Sequence, residues 1–149
     1  MCGIAGVYNH AQGGYTLPAL EEGLSLMANR GPDGSGTYRD EELLLGHRRL
    51  AVIDLKTGDQ PIANEDRSVW VVCNGEIFNY IELREDLRGR GHTFSTTCDI
   101  EALVHLYEEH GTAFLEHLNG QFALALWDLK KHRLVLARDR FGICPLFYT

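Results

Sequence analysis

No stretch of this 149-residue chain approaches the roughly 20 consecutive apolar residues of a membrane span. No basic run offers a footprint for nucleic acid or an anionic bilayer, and 14 Lys and Arg against 21 Asp and Glu leave a net charge of −7. No charged leader with an apolar segment opens the sequence, so no secretory signal is read. Cysteines are few: Cys2, Cys73, Cys98 and Cys144, with no Cys-x-x-Cys pair. A zinc knuckle, a redox dithiol and a disulfide framework are therefore not indicated. The seven histidines show no His-Glu-x-x-His or comparable spacing, and no metal site is assigned. Repeats, low-complexity tracts and linkers are also missing. These absences predict one cytoplasmic domain with no nucleic-acid or membrane partner.

What is present suits a packed core. Hydrophobic residues make up 44% of the chain, ordinary for a globular protein. Gly3 to Tyr8 reads as a short strand. Leu20, Leu24 and Met27 recur at helical spacing behind Pro18, and the turn signal Arg30-Gly31-Pro32-Asp33-Gly34 stops that helix. Residues 43–45, 50–53 and 69–73 read as strands. Asn79 and Glu82 resemble a capping box for a helix that turns Leu83 and Leu87 inward. A second helix is predicted over 100–110 with Gly111 as its stop, and a short one through Phe114, Leu115 and Leu118. The apolar run 122–127 reads as a strand buried on both faces, paired as a hairpin with 134–137. Residues 145–149 read as a last strand. The pattern predicts an α+β layered fold.

The chemistry begins at Cys2, directly behind the initiator Met. Removal of Met1 would leave a thiol and a free α-amine on one residue, so the nucleophile would carry its own base. Asn74-Gly75-Glu76 follows a strand and offers a carboxamide and a backbone N–H to an oxyanion. Read alone, though, Asn-Gly between two β-rich runs is a hairpin turn. Arg49 is suited to a two-pronged grip on a carboxylate, but nothing local separates it from Arg48. Asp99 fits either a substrate ammonium or a helix N-cap.

Taken in order, Cys2-Gly3-Ile4, Arg30-Gly31-Pro32-Asp33, the 47–50 segment, Gly58-Asp59-Gln60-Pro61, Asn74-Gly75-Glu76-Ile77-Phe78-Asn79, Asp99 and Arg138-Asp139-Arg140-Phe141-Gly142 resemble the class II glutamine amidotransferase pattern. Within that class the chain is most similar to the glutaminase half of glutamine-hydrolysing asparagine synthetases. The resemblance implies the four-layer αββα sandwich of N-terminal-nucleophile hydrolases. It implies that Cys2, freed of Met1, attacks the side-chain carboxamide of L-glutamine. Asn74 and Gly75 would hold the oxyanion. Arg49 would hold the α-carboxylate, Glu76 and Asp99 the α-ammonium, and Leu50, Val52 and Ile53 would line the pocket.

The partners implied are L-glutamine, a synthetase domain of the same polypeptide that uses the ammonia to make asparagine, and a second copy in a homodimer. The chain itself shows no P-loop or pyrophosphate loop, so no cofactor is assigned to it; ATP and Mg²⁺ are expected only in the synthetase domain. Residues 1–149 read as an incomplete glutaminase domain, truncated at its C-terminus, with the synthetase domain absent. Cys98 and Cys144 depart from the family's wording and are not expected to be catalytic. The alternatives are the glutaminase domain of a sugar-phosphate, phosphoribosyl or natural-product amidating enzyme, and a glutamine-binding remnant without turnover.

Overall fold

The computed structural model describes residues 1–149. Two antiparallel sheets form its centre. The first contains β1 (Gly3–Tyr8), β2 (Gly34–Arg39) and β3 (Leu43–Arg49), in the order β1-β3-β2. The second contains β4 (Ile62–Ala63), β5 (Val69–Ile77), β6 (Gly120–Asp128) and β7 (Arg133–Arg138), in that order. Helix α2 (Leu17–Leu26) covers the outer face of the first sheet, behind a single turn, α1 (His10–Gly13). Helices α3 (Tyr80–Gly89) and α4 (Glu101–His110), with the 3₁₀ segment Gly111–His117, cover the outer face of the second. The layers are helix, sheet, sheet, helix, as the resemblance implied.

Side-chain alternation along each strand builds these layers. On β3, Leu44 packs outward against Leu20 and Leu24 of α2. Leu43 and Leu45 point the other way and meet Val72, Ala125 and Trp127 of the second sheet. On β5, Val71, Cys73 and Ile77 face α4 and its Leu103, Val104 and Tyr107. Strand β6 is buried on both faces from Phe122 to Asp128, as its unbroken apolar run predicts. It sits between β5 and β7, paired with β7 as the predicted hairpin.

Three local expectations are corrected, two on strands and one on a helix cap. Residues 50–53 are not a strand: β3 ends at Arg49, where its partners end at Gly3 and Gly34, and the chain leaves the sheet as a loop. Residues 145–149 form no strand either, with Phe147 and Tyr148 almost fully exposed. Asn79 stands at the start of α3 but makes no cap. Its carboxamide instead accepts from Asn119 N and donates to His117 O, tying that helix to the entry of β6. Strands β2 and β4 were not read from the sequence. Gly-Ser-Gly-Thr carries no apolar alternation, and a two-residue strand carries no period at all.

Candidate active site

The interior between the sheets does not stay apolar along its whole length. Ile4 of β1, Leu43 and Leu45 of β3 and Val72 of β5 fill it. Two and four residues further along, on the same face, stand Cys2, His47, Arg49, Asn74 and Glu76. At that polar end lies a cavity of about 270 Å³. Its walls include Cys2, Arg49, Leu50, Val52, Ile53, Asn74, Gly75, Glu76 and Asp99, which is every site residue the sequence proposed. Met1, Gly58, Gln60, Cys98, Ile100, Gln121 and Cys144 complete it.

Cys2 is held at its carbonyl and at its sulfur. Arg30 Nε donates to its carbonyl oxygen at 2.6 Å. Its Sγ receives the Leu50 N–H at 3.3 Å. The Asp33 carboxylate receives the Ala51 N–H at 2.8 Å and so fixes the loop that meets the thiol. Gly31 is needed between them, since a Cβ there would come within 2.5 Å of the Arg48 carbonyl. The Arg30-to-Asp33 turn is therefore a positioning device for Cys2 and the 50–53 loop.

Strand parity separates the two arginines. Arg48 turns away and donates to Gly31 O at 2.9 Å. Arg49 turns into the cavity, buried, with Nη1 on Asp59 Oδ1 at 2.7 Å and Nη2 on the carbonyls of Ile53 and Asp54. A guanidinium has five N–H donors, and these three acceptors leave donors for an incoming carboxylate.

The Asn-Gly pair is not a turn. Asn74 and Gly75 lie within β5, opposite Ala123 and Phe122 of β6. Gly75 has φ +152°, and a Cβ on it would stand 2.0 Å from Gln121 O. Only glycine permits that approach. The substitution Gly75→Ala is expected to lower the unfolding free energy by more than about 2 kcal/mol, seen as a lower urea midpoint, because both the backbone angle and the strand contact are lost. An unchanged midpoint would show that β5 can relax there.

Asp99 is not the cap of α4, whose N-cap position is Ile100. Its Oδ2 accepts the Ile77 N–H at 2.8 Å, joining the start of α4 to the end of β5. Burial pushes the Asp99 carboxyl above the usual range, a penalty that a bound cation would relieve.

Gln60 was quoted only as part of a motif. Its carboxamide makes both backbone hydrogen bonds of Cys73, donating to O at 3.1 Å and accepting from N at 2.6 Å. Asp139 places Cys144 in the wall: its carboxylate receives the N–H groups of Phe122, Phe141, Ile143 and Cys144. Burial alone would raise the Asp139 carboxyl, but these donors hold it below its ordinary value.

No histidine lines the cavity. His47 is wholly buried between the sheets, and burial pushes it down to about 4. Burial also raises the thiols of Cys73 and Cys144, and takes Cys98 up to about 12. A thiol so raised stays protonated and is a poor nucleophile. Among the four cysteines, Cys2 alone is not buried.

Two sandwiched antiparallel sheets flanked by helices, with a partly exposed cysteine at the start of β1, define an N-terminal-nucleophile type of hydrolase fold. The same fold is found in the glutamine phosphoribosylpyrophosphate amidotransferase of Bacillus subtilis complexed with ADP and GMP. That structure aligns over 93% of this chain and 36% of its own, with a TM-score of 0.67 and 22% identity. Residues 1–149 match the family described as glutamine amidotransferase domain, and the chain belongs to that family. Two glutamine-hydrolysing asparagine synthetases of Bacillus subtilis are 42% and 45% identical across the whole chain. One from Oryza sativa is 43% identical over 99% of it. The chain spans 24%, 20% and 25% of the lengths of these three relatives.

Proposed function

We propose that this domain hydrolyses L-glutamine to L-glutamate and ammonia through a thioester on Cys2. The observation that carries the reading is the convergence of a thiol, a carboxamide, a cation and two carboxylates on one cavity without histidine. With Met1 removed, the α-amine of Cys2 takes the thiol proton, and the sulfur attacks the carboxamide carbon. The Asn74 carboxamide and the Gly75 N–H receive the oxyanion. The C–N bond breaks as the nitrogen takes a proton, and ammonia leaves. Water then cleaves the thioester to glutamate and restores the thiol. Arg49 binds the α-carboxylate, while Glu76 and Asp99 bind the α-ammonium, with Leu50, Val52 and Ile53 along the aliphatic part.

The identity to asparagine synthetases supports asparagine formation from aspartate as the use of the ammonia. That step belongs to a synthetase domain of the longer polypeptide, together with its ATP and Mg²⁺. Intact mass after treatment with 6-diazo-5-oxo-L-norleucine, a reactive glutamine analogue, tests the glutaminase part. The expected result is a chain lacking Met1 with one adduct, mapped to Cys2. A chain lacking Met1 that takes no adduct would overturn it.

A further inference from the structure

Away from the glutamine cavity, four side chains from three parts of the sequence meet at one point. Glu65 comes from the turn between β4 and β5, His92 from the segment after α3, and His105 and Glu108 from one face of α4. Their ligating atoms all lie within 4.8 Å of one another. The nitrogen–oxygen pairs are closer: His92 Nδ1 is 3.7 Å from Glu65 Oε1 and 3.6 Å from Glu108 Oε2, and His105 Nδ1 is 3.5 Å from Glu65 Oε2 and 3.3 Å from Glu108 Oε2. A tetrahedral zinc with bonds of 2.0–2.2 Å separates neighbouring ligand atoms by about 3.4 Å. With one oxygen from each glutamate, three edges of such a tetrahedron are already near their length: both imidazoles to Glu108 Oε2, and His105 to Glu65 Oε2.

A second shell is also in place. Metal-bound histidines characteristically donate their other nitrogen to a carboxylate. His92 Nε2 lies 3.1 Å from Glu109 Oε1, and Glu109 is itself paired with Arg90. Asn64 Nδ2 donates to the remaining oxygen of Glu108 at 2.8 Å. The Thr93 N–H donates to Glu65 Oε1 at 2.7 Å. His105 is wholly buried, braced by the edge of Phe94 and the ring of His92, with Nδ1 turned to the two glutamates and Nε2 without a partner. Glu65 is the most exposed of the four and leaves a way in from solvent. None of the four lines the glutamine cavity.

We propose that Glu65, His92, His105 and Glu108 form a structural zinc site that pins α4 and the end of α3 to the β4–β5 turn. Two imidazoles and two carboxylates suit Zn²⁺ in charge and donor type, and two anionic ligands neutralise the ion. Spacing along the chain could not show this, because only His105 and Glu108 are neighbours on a helix.

The test uses the whole 149-residue chain with Cys2→Ala, so that the exposed thiol supplies no ligand. The chelator-stripped protein is titrated with ZnCl₂ against a chromophoric chelator, and with CoCl₂ by visible absorption. The expected result is one equivalent of zinc, the intense visible bands of tetrahedral cobalt, and a higher melting temperature with zinc. His92→Ala and Glu65→Gln, both less buried than His105, should each abolish the cobalt bands. Glu109→Gln should weaken zinc binding by about 10–100-fold. His110→Ala, in the stacked His110–His117 pair elsewhere, should bind as the parent does. Absence of stoichiometric binding, or equal binding by His92→Ala and Glu65→Gln, would overturn the proposal.

Discussion

One alanine inserted between Met1 and Cys2 is expected to abolish glutaminase turnover while leaving the protein folded and able to bind glutamine. Once Met1 is removed, the free amine would sit on the inserted residue and Cys2 N would be an amide. The reason for so large an effect lies in what the cavity lacks. No imidazole reaches it, and His47, the histidine nearest in the strand pattern, is sealed between the sheets. Glu76 and Asp99 are committed to the substrate ammonium in the proposed pose. General base catalysis supplies about 10²–10⁴-fold, so the glutamate release rate should fall by that factor. Met1 is 60% exposed and stands in the cavity wall, so the inserted alanine, which takes its place once Met1 is cleaved, adds nothing larger there and leaves β1 undisturbed. Glutamate release at saturating glutamine measures the effect, and a glutamine-induced rise in melting temperature verifies that the site is intact. Release within about threefold of the parent would sink the α-amine as base and turn attention to Glu76.

The second large effect is expected at Asn74. Its carboxamide is buried in the cavity wall and makes no hydrogen bond to the rest of the chain. Truncation to alanine therefore orphans no partner, and the cost to stability should be small. If the carboxamide receives the oxyanion, Asn74→Ala should lower kcat by about 10²–10³, or roughly 2.7–4 kcal/mol of barrier, with KM little changed. Asn74→Asp keeps the shape but places a negative charge where one develops, so its kcat should fall at least as far. Steady-state kinetics separate this from a binding role. A rise in KM with kcat preserved would assign Asn74 to the ground state and leave the Gly75 N–H as the oxyanion donor.

The parts of this fold that the sequence discloses are those governed by a period. The helix at 101–110, the twice-buried strand β6 and its hairpin with β7 follow from spacing alone. Parity could also have chosen Arg49 over Arg48, since Leu43, Leu45, His47 and Arg49 share one face of β3. Asn74-Gly75 misleads local reading because its meaning is set by β6: the glycine is there for Gln121 O, a contact 46 positions away. Asn79 misleads for the same reason, spending its carboxamide on residues 117 and 119 instead of its own helix. The His and Glu cluster is silent in the sequence because its members are joined only by the packing of α4 on the second sheet. Site residues were legible as an ordered set of motifs, but their convergence required the layers.

The bonds between Gln60 and Cys73 also bear on the free edge of β5. Strand β4 covers β5 for only two residues, at Val71 and Trp70, and an uncovered strand edge is a template for another chain. At Cys73 that edge is closed by an amide side chain that copies the pattern of a neighbouring strand. The sheet thus stops growing beside the cavity without placing a further strand across its mouth, and one residue both satisfies the strand edge and lines the entrance.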